Sequence, residues 1–267
     1  NLLEPMGIGI LFSSSIYDGE PLRRLVSRYV SDDLLRAVAR EYRAGRKLWV
    51  ATTNLDREES VFWDLGAIAV AAGDGNAQAK TLFIDVLVAS ASVPGVFPAV
   101  LLDVADAGAR YQEMHVDGGA STPFFVAFDV LAALNHRVDG LRNAQIYVIA
   151  NSQLAGTPRT TPANTLSIVS RAFTSTVNHM TQSALTETFA FSERNEMLLS
   201  FTSVSASYPF AGPLAFAKDD MRRLFSYGRQ CAAQGKVWLD AEQALAETAR
   251  AQGDRNAVSC PTGEPIG

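Results

Sequence analysis

The run Met114-His115-Val116-Asp117-Gly118-Gly119 ends an alternating segment in an acid followed by two glycines. Alternation puts successive side chains on opposite faces of a strand, and glycine lets backbone approach closely. The run therefore reads as a short strand delivering a carboxylate to a tight turn. In α/β proteins the C-terminal ends of strands, where this acid falls beside its glycines, are where ligands usually bind. The competing reading is a turn acid that caps a helix beginning near Pro123, a residue suited to a first helical turn. That helix is expected to continue through Phe128 and Leu131.

Other candidates for chemistry are weaker. His115 shares a strand face with Asp117, but residues at i and i+2 project in parallel, a poor arrangement for a triad. His136 and His179 fall in a loop and on a polar helix, and no H-x-x-x-H zinc motif exists. Asn54, Asp56 and Asp64 form an acidic loop whose spacing does not match an EF-hand, so no metal and no cofactor is expected. Cys231 and Cys260 have neither C-x-x-C nor zinc spacing. We read them as unpaired thiols, with a disulfide as the alternative in an oxidising compartment.

A second stretch lies upstream: Ala89-Ser90-Ala91-Ser92-Val93-Pro94-Gly95-Val96-Phe97-Pro98. Together with Asp117-Gly118-Gly119 it resembles the A-S-x-x-x-P-x-x-F-P and D-G-G motifs of the patatin-like phospholipase family. Thr52-Thr53-Asn54-Leu55-Asp56 and Phe62-Trp63-Asp64 are similar to its bacterial branch. The similarity runs from about residue 20 to 227. It implies an α/β fold, a three-layer α/β/α sandwich around a mainly parallel sheet. It also implies acyl ester hydrolysis by a Ser-Asp dyad without histidine, with Asp117 as the base and Gly118 and Gly119 supporting its turn. By the same resemblance Ser90, Ser92, Pro94 and Phe97 line the cleft. Phe97, Phe124 and Phe125 are candidates for an acyl pocket, although core packing is the better account of each. The implied substrate is a lipid or other acyl ester, with contact to a membrane surface one consequence of that substrate class.

One departure qualifies the match. The family's serine lies in a G-x-S-x-G elbow preceded by a glycine-rich oxyanion loop, and no serine here has glycine at both i−2 and i+2. Gly119-Ala120-Ser121-Thr122-Pro123 comes nearest and ends in proline, and Gly7-Ile8-Gly9 lacks the remainder of a loop. The expectation is a C-terminal portion of a patatin-like domain, N-terminally incomplete, that supplies the base and is inactive alone. Its partners would be a companion segment carrying the nucleophile or further copies of itself. The alternative function is a catalytically inactive patatin-like binding or assembly module.

The bulk properties agree with an enzyme-sized domain. The chain has 267 residues, 48% hydrophobic and 19% charged, with a net charge of −5. That balance supports a core and argues against a nucleic-acid partner, which demands a basic patch. No run approaches the length of a membrane-spanning helix, and no signal peptide is visible. Cytoplasmic, envelope-associated and secreted placement all remain open.

The elements that must position Asp117 follow from periodicity. Residues 1–15 read as a loop or frayed helix. Helices are expected over 20–30, after the N-cap Ser31 with Leu34, Leu35, Val38 and Tyr42 inward, and over 65–72 and 78–90. Strands are expected over 47–53, 60–63, 100–104, 111–116, 144–150 and 197–204. A long helix over 165–191 buries Ile168, Val169, Phe173, Val177, Met180 and Leu185. A final helix, capped by Asp219, continues past Gly235. We expect one domain over 1–252 and a flexible tail over 253–267.

Overall fold

The computed structural model describes residues 15, 17–106, 108–123, 142–154, 160–210, 216–249 and 258–265. The chain divides into two compact units, residues 1–123 and 124–267.

In the first unit, helices α1 (Glu20–Tyr29) and α2 (Asp32–Arg43) open the described chain. Ser31 caps α2, its hydroxyl accepting the Leu34 N–H at 3.2 Å, and Asp32 and Asp33 follow in the first turn. Such a cap contributes about 1 kcal/mol. Leu35 and Ala39 carry the buried side of α2, whereas Leu34 is exposed, contrary to the sequence expectation. Strands β1 (Trp49–Asn54) and β2 (Glu59–Asp64) form a hairpin. Asp64 then caps α3 (Leu65–Gly73), and Asn76 caps α4 (Ala77–Ser90). Strands β3 (Val100–Asp106) and β4 (Ala109–Asp117) make a second hairpin.

These four strands form one sheet in the order β2-β1-β4-β3, and every pairing is antiparallel. The mainly parallel sheet expected from the family resemblance is thus not what residues 47–117 build. Two of the joins are tight hairpins, and a short connection can link only antiparallel neighbours. One face of the sheet packs on the helices, where Val100 and Leu102 join Leu22, Leu35, Leu65, Phe83, Val86 and Phe97.

In the second unit, β5 (Gln145–Ala150) and β6 (Leu198–Ser203) pair in parallel, joined through α5 (Thr165–Arg194). This is the crossover that a parallel pair requires. Leu185 and Phe189 of α5 pack with Val148 and Phe201. The N-terminal part of α5 leaves Ile168 and Val169 exposed instead of burying them. Helix α6 (Lys218–Ala233) begins from Ala217 without a side-chain cap, so Asp219 sits in its first turn and does not cap it. The helix does not continue through Gly235, which adopts φ +71°, and α7 (Ala241–Ala249) starts afresh. Cys231 and Cys260 are joined in a disulfide, both fully buried, which corrects the unpaired reading and ties residue 260 to α6. Both units combine helices with sheet, so the chain is α/β in composition.

Candidate functional site

Asp117 is the last residue of β4, opposite Thr52 of β1. Its backbone N–H donates to the Ser92 carbonyl at 2.9 Å, directly joining the two stretches singled out in the sequence. Ser92 is fully buried and its hydroxyl donates to the Val88 carbonyl at 2.8 Å, which anchors the segment to the end of α4. Ser90 likewise donates to Leu87, at 3.0 Å.

After Asp117 the chain enters a 3-10 turn over Gly118–Ala120. Gly118 passes against β1 so closely that a Cβ there would lie 2.5 Å from the Ala51 carbonyl oxygen. Only glycine permits that approach. Asp117 Oδ1 accepts the Gly119 N–H at 2.7 Å, while Oδ2 has no hydrogen-bond partner among the described residues. The carboxyl is half-buried, and burial pushes its pKa above the usual aspartate value, against the opposing pull of the Gly119 N–H. The acid therefore caps the glycine turn itself, while the helix expected beyond Pro123 lies outside the described residues.

Two polar networks flank this acid. On the core face of the sheet, the Trp63 indole N–H donates to the Thr52 hydroxyl at 2.8 Å. That hydroxyl lies 2.9 Å from His115 Nδ1. The other ring nitrogen, Nε2, lies 3.6 Å from the Glu113 carboxylate. Glu113 in turn accepts from the Asn54 amide at 2.9 Å and pairs with Arg57 at 2.8 Å. His115 is wholly buried, and burial lowers its pKa, so it is a neutral structural ring. On the opposite face, Thr53 Oγ1 donates to the Asp117 carbonyl at 3.0 Å and touches Ser121 Oγ at 2.7 Å. Ser60 Oγ bridges Ser121 at 2.8 Å and Thr122 at 2.7 Å.

The remaining expected residues divide clearly. Phe97 lies in the core beside Tyr17, with ring centroids 6.3 Å apart, and Pro94 belongs to the turn after α4. His179 is exposed on α5. Gly7, Gly9, Phe124, Phe125, the helix foreseen through Phe128 and Leu131, and His136 lie outside the described residues. Asp64 caps α3, accepting the Ala67 N–H, and Asp56 accepts the Met114 N–H, so two members of the acidic loop have structural partners. Among the described residues no group of three His, Cys, Asp or Glu gathers as a metal site. Nor is any described helix long and apolar enough to cross a membrane.

Sequence reasoning did not find the hydroxyl group Thr53, Ser60, Ser121 and Thr122. Its members come from three separated segments, and only strand register unites them; the sole available signal was the density of Ser and Thr at β1 and after the glycines.

No curated protein matches the chain. A family model, Patatin-like phospholipase, matches residues 2–128, which includes both motif stretches and ends short of the region to residue 227 that the motifs had suggested. Over residues 2–128, then, the chain is similar to the patatin-like phospholipases.

Proposed function

We propose that this protein is a patatin-like lipid acyl hydrolase in which Asp117 is the general base of a Ser-Asp dyad. The observation that carries the reading is the state of Asp117: a half-buried carboxylate with raised pKa, one oxygen fixed by Gly119 N–H and the other without a partner among the described residues. In this mechanism Asp117 takes the proton from a serine hydroxyl as that oxygen attacks the ester carbonyl. It then returns the proton to the leaving alcohol, and water releases the acyl group by the same exchange. Desolvation suits the role, because a carboxylate held above its ordinary pKa is a stronger base. The buried His115, its Nδ1 held against Thr52 and its pKa lowered by burial, fits a mechanism in which no histidine takes part.

The chemistry further requires a serine nucleophile, and none of the serines in these 267 residues has the G-x-S-x-G setting. That same observation favours a second reading, a catalytically inactive module that binds lipid or a companion chain. Intact mass of the protein before and after treatment with a fluorophosphonate probe separates the two. One adduct on the polypeptide carrying these residues, or on a co-purifying one, together with hydrolysis of an acyl ester, supports the hydrolase. No adduct and no hydrolysis would overturn it in favour of the inactive module.

A further inference from the structure

The four hydroxyls behind the glycine turn have a single consistent proton direction. Thr53 Oγ1 faces the Asp117 carbonyl oxygen, which can only accept, so the one Thr53 proton is committed there. The contact between Thr53 and Ser121 at 2.7 Å must then be donated by Ser121. With its proton spent, Ser121 can only accept from Ser60 at 2.8 Å. Ser60 can in turn only accept from Thr122 at 2.7 Å. The string thus runs Thr122 to Ser60 to Ser121 to Thr53 to the Asp117 carbonyl, linking β2, β1 and the residues after the turn.

Resting on the reading of Asp117 as base, we infer that Thr53 and Ser121 are positioning residues for it. They hold the Asp117 carbonyl and the segment beyond Ala120 against β1, and through that peptide fix the direction of the carboxylate. The backbone has a second tether on the other side, Asp117 N–H to Ser92. Carbonyl and amide of the same residue are therefore both pinned, leaving the side chain little freedom to swing. A further consequence concerns Ser121 itself. Its proton points to Thr53, so although it lies four residues from the base it is a link in the string and not the nucleophile.

The test compares Thr53→Val, which keeps the shape and removes the hydroxyl, with Thr53→Ser, which keeps the hydroxyl. In the full-length protein Thr53→Val is expected to lower kcat about tenfold with KM within about twofold, and Thr53→Ser to restore kcat. A second readout is independent of activity: the Asp117 carboxyl titration followed by carbon NMR. Loosening the turn admits water, so the Asp117 pKa should fall toward the ordinary aspartate value in Thr53→Val and stay raised in Thr53→Ser. An unchanged Asp117 titration in Thr53→Val would overturn the inference, as would equal kcat values for the two variants. Fluorophosphonate labelling that survives Ser121→Ala supports the linking role of Ser121, and labelling abolished by that change would overturn it. Failure of the base reading shows separately, as activity that persists in Asp117→Asn while the Thr53 variants still move the Asp117 titration.

Discussion

Glu113 and His115 stand on the same face of β4 as Asp117, four and two residues earlier, and the strand treats them and Asp117 in opposite ways. The earlier pair is surrounded: Arg57, Asn54, Thr52 and Trp63 together meet both groups. Asp117, at the end of the strand, accepts one backbone N–H and loses water with no cation beside it among the described residues. Glu113 is engaged by a guanidinium and an amide donor. An acid left desolvated and half-satisfied is poised to exchange a proton. The difference between structural and chemical carboxylates here is one of compensation, and it arises within a few residues of one strand.

The largest expected consequence is on turnover. Asp117→Asn should lower ester hydrolysis by about 10²–10⁴-fold, the usual contribution of a general base, with the fold intact by circular dichroism. Hydrolysis within tenfold of the parent would erase the distinction between the two ends of β4. Next comes the turn that presents the acid. Gly118→Ala puts a methyl against the Ala51 carbonyl, and we expect a loss of about 1–3 kcal/mol in denaturant unfolding. Hydrolysis should fall by more than that loss of folded protein explains, because the acid is displaced.

At the compensated end the pattern should invert. Glu113→Ala strands the Asn54 amide and removes the Arg57 partner, with an expected cost of about 1–3 kcal/mol in stability. Hydrolysis per folded molecule should stay within about twofold. The smallest effect concerns pH. Burial raises the folded-state pKa of Asp117 above its unfolded value, so the stability it contributes is full below the unfolded pKa and is lost as pH rises through the folded one. Asp117→Asn, with no charge to desolvate, should be at least as stable as the parent at neutral pH. Denaturation repeated at falling pH should show that advantage vanish toward the ordinary aspartate value.

Much of the frame around Asp117 was legible in the residues. The Ser31 cap, the β1–β2 hairpin, helices α3 and α4 and the Asp-Gly-Gly turn each have local causes, namely a cap, a polar turn, a period or a close approach. What escaped was non-local. The family resemblance implied a mainly parallel sheet, whereas β1 to β4 pair antiparallel between residues 49 and 117, the β1–β4 pairing joining two hairpins distant in sequence. The pairing of Cys231 with Cys260 depends on a Cα separation of 5.5 Å that a sequence distance of 29 does not encode. Periodicity also assigned Leu34, Ile168 and Val169 an inward side, whereas the neighbours that would cover them are not placed there. The Asp117 turn was legible because its signal is local; the Thr53–Ser121 string was not, because strand register assembles it.

The most direct test of Asp117 as the base is the dependence of kcat/KM for an acyl ester on pH, measured for the full-length protein. The base must be ionised to accept a proton, so the rate should fall on the acid side. The midpoint of that limb should lie above the ordinary aspartate pKa, because burial raises that of Asp117, and the limb should disappear from whatever activity remains in Asp117→Asn. A profile without an acid limb, or an identical limb retained in Asp117→Asn, would contradict the account.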